Sequence, residues 1–290
     1  MNYRHTYHAG NFADVVKHAT LAMIIEHLAL KPTPFRVIDT HAGVGRYDLA
    51  SLEAMKTGEA LHGITRLLAS PLPPDIAVML APYLSAIASE NPGRAVGAPV
   101  TVYPGSPLIA RHLLRTGDRV IANELHPDDF AALSLLLARD KQAKAMNLDG
   151  WAALKSLVPP KERRGVVLID PPFEEPGELA RLVAGLQDAH RRFANGIYML
   201  WYPIKDARPV YAFRREIEDL RLDKLLSVEL LVRAVDGLGL AGCGMIILNP
   251  PFQLKEKLDR LLPFLADRLN QGPGSSGTTR WLTPQHLQTT

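Results

Sequence analysis

The chain predicts a doubly wound α/β fold: a mainly parallel sheet of seven strands, helices on both faces, and an antiparallel hairpin at the end. Three observations lead there. Short apolar runs alternate with helical stretches along the 290 residues, as strands and crossover helices do in a parallel sheet. One run, Gly165-Val166-Val167-Leu168-Ile169, is apolar or small throughout, as a strand buried on both faces must be. Two late runs, 225–232 and 244–248, are joined by a glycine-rich loop with no helix between them, which implies an antiparallel pair at a sheet edge.

Composition narrows the classes. Hydrophobic residues make up 47% and charged residues 22%, ordinary for a globular protein. No apolar run reaches the length of a membrane span, and MNYRHTYHAG does not read as a signal peptide, so the expectation is a cytoplasmic protein. The single Cys243 excludes an internal disulfide and a thiolate zinc cluster; flanked by glycines in an apolar run, it reads as core. His5-x-x-His8 lacks the further ligands of a metal site, so none is expected. A net charge of +3 permits a nucleic-acid partner without arguing for one.

Taken in order, the chain opens with Tyr3, Arg4, His5, Tyr7, His8 and Asn11 crowded together. Residues 14–30 then turn helical, with Val15, Ala19, Ala22, Met23 and Leu28 near one face and Lys17 and His18 in the first turns. Residues 35–39 form the first strand, which runs into His41-Ala42-Gly43-Val44-Gly45, a two-glycine loop of the kind that lets backbone approach a ligand. Residues 50–100 change character to Ala, Leu and Pro, with helical stretches at 53–69 and 76–90; this reads as a helical insertion in one domain spanning 1–290. At the turn 103–107, Ser106 suits an N-cap, with Pro107 opening a helix.

The second strand, 119–124, ends in Glu124, where an acid commonly takes the ribose hydroxyls of an adenosine-type cofactor. A short strand at 143–148 ends in Asp149-Gly150, another acid placed to read an adenine amine. The central strand ends in Asp170-Pro171-Pro172-Phe173. Neither proline donates to a ladder, so Asp170 sits at the carboxyl end of the strand, where open α/β sheets place ligands. A carboxylate, a free carbonyl and an aromatic face suit a planar group with an exocyclic amine. A strand closing in a Pro-rich turn with a surface Asp accounts for Asp-Pro-Pro taken alone. Strand 196–203, helix 206–220, the two late strands and helix 253–269 complete the domain, and the Gly/Ser/Thr-rich tail from 272 reads as loose unless Trp281 docks.

With acids at successive strand ends and Asp-Pro-Pro-Phe on the fourth, the sequence resembles the class I S-adenosylmethionine-dependent methyltransferases, whose fold is Rossmann-like, in the branch that methylates exocyclic amines of bases. More narrowly, Tyr3-Arg4-His5 through His8-Ala9-Gly10-Asn11, Asp14, Lys17-His18, Asp39-Thr40-His41-Ala42-Gly43, Tyr103-Pro104-Gly105-Ser106-Pro107, Ile169-Asp170-Pro171-Pro172 and Trp201-Tyr202-Pro203 resemble the RlmJ family. That resemblance implies methylation of adenine N6 in 23S ribosomal RNA, naked or in an assembly intermediate, by a monomer. It implies S-adenosyl-L-methionine bound by His18, His41, Ser106, Glu124, Asp149, Gly150 and Asp170. It also makes Asp170 the catalytic residue and sets Arg4, Pro171 and Phe173 against the RNA. Phe173 departs from the family's usual Tyr: it still stacks but donates no hydrogen bond. Methylation of DNA adenine or of cytosine N4, and a non-catalytic RNA-binding assembly factor, stay open from the residues themselves.

Overall fold

The computed structural model describes residues 4–95 and 97–282. After a short 3-10 turn at His5–Tyr7, α1 (Phe12–Ala29) leads into β1 (Arg36–Asp39). The ribbon strand β2 (Arg46–Asp48) precedes α2 (Leu52–Thr57), α3 (Glu59–His62), α4 (Ile64–Leu67) and α5 (Pro74–Glu90). Its partner β3 (Val102–Pro104) follows them, so this two-stranded antiparallel ribbon clasps the base of the helical stretch. The sheet then resumes with α6 (Ser106–Leu113), β4 (Arg119–Asn123), α7 (Pro127–Leu137), β5 (Ala143–Met146), α8 (Gly150–Leu157) and β6 (Gly165–Ile169). The final part is α9 (Glu178–Arg192), β7 (Ile197–Ile204), α10 (Ala207–Asp219), β8 (Leu225–Leu231), β9 (Gly242–Leu248), α11 (Leu254–Arg268) and β10 (Ser276–Trp281).

Among the described residues the main sheet has eight strands, in the order β10-β8-β9-β7-β6-β1-β4-β5. The chain winds outward from β1 through β4 to β5, then returns to β6 and winds the other way. β1 therefore pairs in parallel with both β4 and β6. The order reverses between β1 and β6, and the crevice at their carboxyl ends is where such sheets hold ligands. All five residues of β6 are buried. Their period of two divides them between two cores. Val166 and Leu168 pack with α1, α5, α6 and α11. Val167 and Ile169 pack with α8, α9 and α10.

Four expectations about the strands, first helix and tail need correction. The sheet has eight strands, not seven. The late antiparallel pair is no free edge, because β9 inserts between β7 and β8, antiparallel to both. Such insertion is long-range pairing that no local pattern encodes. The first helix is buried around nearly its whole circumference rather than on one face, because α5 covers the side away from the sheet. Finally, the tail is not loose through 282: residues 276–281 pair with β8. Gly277 makes this possible, since a Cβ there would lie 2.5 Å from the Leu262 carbonyl of α11. Trp281 does pack against the core.

A chain ending at Gln271 should lose at least about 3 kcal/mol of stability, from the lost ladder hydrogen bonds at about 0.5–1.5 kcal/mol net each. It should also self-associate through the bared β8 edge. Urea unfolding with size-exclusion chromatography reads both; an unchanged midpoint would contradict the docking of β10.

Candidate active site

The candidate site is built at the carboxyl ends of β1, β4 and β6, with the start of α1 laid over them. Asn123 ties the strand ends together: buried, it donates to the carbonyls of Thr40 and Leu148 and accepts from the Leu148 N–H. α1 begins at Asn11, whose side chain accepts from the Asp14 N–H as an N-cap does. One turn on, Lys17 points at the end of β6. Its ammonium lies 2.5 Å from Asp170 and 2.9 Å from Asp14, and 5.8 Å from the centre of the Trp201 ring. The Lys17 side chain is 6% exposed, Asp14 1% and Asp170 17%. Of the three charges, only Asp170 keeps an open side.

The electrostatics follow from this burial. Burial alone pulls the Lys17 ammonium down, but Asp14 and Asp170 together hold it well above its ordinary value. Burial pushes Asp14 up; His5 and Lys17 outweigh that and hold it well below the usual carboxylate range. Asp14 also accepts from the Gly10 N–H and pairs with His5, each at 2.9 Å. Asp14 thus joins α1 to the residues before it. Those residues cross the carboxyl edge of the sheet. His5 packs edge-on to Tyr47, and Arg4 donates to buried Asp129 in the first turn of α7 at 2.9 Å.

The other sequence candidates fall into two groups. Glu124, Asp149, His41 and Gly150 gather around the crevice. Glu124 accepts from the backbone N–H groups of Gly43 and His126, which occupies two of a carboxylate's four lone-pair directions. Burial raises its pKa despite those bonds. Gly43 and Gly45 have positive φ, and a Cβ on Gly43 would strike the Tyr47 hydroxyl, so the loop needs glycine there. Asp149 caps α8 through one oxygen, which accepts from Trp151 and Ala152. Its other oxygen makes no hydrogen bond among the described residues. The His41 ring lies directly on Gly150, where a Cβ would come within 2.2 Å of Nε2. Burial pushes His41 down to about 4, so the ring is neutral.

His18 and Ser106 face inward instead. His18 is buried, shares a hydrogen bond with the Tyr103 hydroxyl at 2.8 Å, and is pushed by burial down to about 3. Ser106 is not an N-cap: Gly105 holds that position, and the Ser106 hydroxyl donates to Asp39 at 2.6 Å. A buried carboxylate needs such a donor more than a helix end does. Even so, burial raises Asp39 to about 6.

Past Asp170, Phe173 stands at a left-handed φ of 53°, which turns its ring edge-on to Trp201 at 5.7 Å. Sequence reasoning quoted Lys17, Asp14, Asp39 and Trp201 among the residues of the family resemblance but gave none of them a role in the site. The available signal was an acid and a base three apart on an otherwise apolar helix. Cys243 is buried and pushed by that burial up to about 12, as a core residue is. Among the described residues no group of three His, Cys, Asp or Glu is arranged to hold a metal ion, and no helix is long and apolar enough to cross a membrane.

Comparison with known proteins decides the family. A family model described as ribosomal RNA large subunit methyltransferase D, RlmJ, matches residues 32–283. The chain belongs to the RlmJ family. Two relatives named ribosomal RNA large subunit methyltransferase J agree. The one from Escherichia coli is 39% identical over 286 residues, covering 98% of this chain and all of that protein. The one from Haemophilus influenzae is 40% identical over 287 residues, with the same coverage. A solved structure of a Legionella pneumophila protein is 33% identical, has a TM-score of 0.82, and covers 94% of this chain and 97% of its own. Membership in RlmJ makes the chain a class I methyltransferase, with S-adenosylmethionine as methyl donor. The residues present suit that cofactor: two acids with spare acceptor capacity, Glu124 and Asp149, flank a glycine loop of positive φ.

Asp14 supplies a test of the buried charges. Its folded pKa is depressed, so the stability it contributes is present above about pH 4 and is lost as pH falls through the lower folded value. Asp14→Asn should cost about 3 kcal/mol at neutral pH, since it strips a buried cation of one partner. The gap to wild type should narrow below about pH 4. Urea unfolding across pH measures it; a gap independent of pH would contradict the ion pair.

Proposed function

We propose that this protein methylates N6 of an adenine in 23S ribosomal RNA, as a cytoplasmic monomer whose single domain carries a helical insertion over about residues 50–100. The reading rests on one arrangement: Asp170, followed by Pro171-Pro172-Phe173, stands at the end of the central strand with Lys17 2.5 Å away. An adenine amine is a poor nucleophile, because its lone pair is delocalised into the ring. Asp170 and the Pro171 carbonyl accept its two N–H groups and draw the nitrogen toward sp³ geometry. Phe173 offers its face to the base. Lys17 holds the Asp170 oxygen in one orientation through its hydrogen bond. Asp170 is also the nearest acceptor for the proton the amine must lose.

S-adenosylmethionine supplies the methyl group on an already activated sulfonium. Its binding falls to Glu124 for the ribose hydroxyls and to the spare oxygen of Asp149 for the adenine amine. Gly150 and His41 shape the wall, Ser106 and His18 brace it from behind through Asp39 and Tyr103, and Asp170 closes it. Most of the acceleration comes from positioning. The target adenine must leave its stack to reach Asp170, so the substrate is single-stranded there or readily opened, whether naked or in an assembly intermediate. Arg4, half-exposed and held by Asp129, lies where it can exchange that carboxylate for an RNA phosphate, in keeping with a lid role for the residues before α1.

Labelled S-adenosylmethionine and 23S transcript, digested to nucleosides after reaction, should yield N6-methyladenosine. Asp170→Asn should lower the rate at least about a thousandfold, at the upper end of what a positioned acceptor contributes, while cofactor affinity by calorimetry stays within about threefold. A labelled nucleoside other than N6-methyladenosine would refute the substrate, and near wild-type turnover by the variant would remove Asp170 from the mechanism.

A further inference from the structure

A cavity of about 480 Å³ opens on the amino-terminal edge of the sheet, opposite Asp170. Its walls come from the end of α1, the loop before β6, the start of β7 and the loop after β9. Gly165 lines it and Asp170 lies five residues further along the strand direction, so the two sites stand about 17 Å apart. The volume is within the range that holds a nucleotide-sized group.

The cavity is positively charged. Lys31, Arg163 and Arg164 line it against one carboxylate, Glu162, which Arg36 already engages at 2.8 Å. Arg164 is committed to the fold: it donates to the carbonyls of Thr33 and Leu28 and lies over the Phe35 ring. Lys31 and Arg163 are different. Both are exposed, and among the described residues neither side chain has a hydrogen bond or an ion pair. Arg163 is presented by a fixed turn, at φ 54°, with its N–H on the Pro160 carbonyl. Burial, and then the charges of Arg164, Lys257 and Lys31, push His27 down, which reports the same positive potential.

Beside these cations Phe252 is 82% exposed. It adds nothing to the core, and it follows Pro250-Pro251, which stiffen its loop. Two unpaired cations on separate loops and a bare aromatic face form a pattern that takes phosphates and a base together. A free inorganic anion would use the charges and leave the ring idle.

We propose that this cavity is a second contact for the substrate RNA, with Lys31 and Arg163 taking backbone phosphates and Phe252 stacking a base away from the target nucleotide. The proposal rests on the reading of the chain as a ribosomal RNA methyltransferase. It gives that site a reason to prefer a large folded RNA over a short one: the contact adds affinity without touching the reacting atoms.

The test compares the full 23S transcript with a short oligonucleotide holding only the methylated adenine and its near neighbours. Lys31→Glu/Arg163→Glu should raise KM for the transcript about tenfold, leave kcat unchanged, and reduce the salt dependence of transcript binding by about two phosphate contacts. KM for the oligonucleotide should not change. Phe252→Ala should weaken transcript binding with its salt dependence intact. All three side chains are exposed, so the melting temperature should hold. An unchanged KM for the transcript, or an equal rise on both RNAs, would overturn the proposal. If wild type methylates neither RNA, the methyltransferase reading fails instead; transcript binding by fluorescence anisotropy still tests the cavity on its own, and equal affinity of wild type and charge-reversal variant would reject it.

Discussion

The structure depends on one buried cation. Lys17 lies between Asp14, one helical turn away, and Asp170, at the end of a strand 153 residues later in the chain. Taking an ammonium out of water costs several kcal/mol, and only well-placed counter-charges offset it. Here both counter-charges are supplied, one local and one distant. The pair therefore fixes the rotation of α1 against β6, because a turn of the helix by one residue would carry Lys17 away from Asp170. It also leaves Asp170 with a neighbour that fixes one of its oxygens and with an open side toward the crevice.

The architecture supports this charge from beneath and from above. Beneath, β6 is buried on both faces between two cores, so the strand end cannot drift. The reversal of strand order between β1 and β6 opens the crevice just where Asp39, Glu124 and Asp170 emerge. Above, the residues before α1 run from Arg4 on Asp129 to Asn11 at the helix cap, with His5 joined to Asp14 on the way. The segment over the crevice and the charge beneath it thus share a carboxylate. Glycines appear where side chains would collide: Gly43 against Tyr47, and Gly150 under the His41 ring.

Much of this was legible in the sequence. The central strand, the acids Glu124 and Asp149 at strand ends, and Asp170 before two prolines are local patterns, and the structure places each where its pattern implied. Three things were not. The insertion of β9 between β7 and β8, the β2–β3 ribbon and the docking of β10 all depend on pairing between distant segments, which strand propensity does not encode. Ser106 looked like a cap because caps are what serine does before a proline-led helix; the demand of buried Asp39 for a donor is visible only in three dimensions. Lys17 was placed only in the first turns of its helix, because nothing within that helix says that Asp170 at the end of β6 meets its ammonium.

The account claims that Lys17 and Asp170 act as one unit in methyl transfer. A double-mutant cycle measures this directly, using single-turnover methylation of 23S transcript at saturating cofactor by Lys17→Met, Asp170→Asn and the double variant. If the unit is real, Lys17→Met slows transfer by about a hundredfold or more, and the double variant is no slower than Asp170→Asn alone, as for residues that function together. Losses that multiply independently would contradict it, and would reduce Lys17 to a buried charge that stabilises the fold without serving the chemistry.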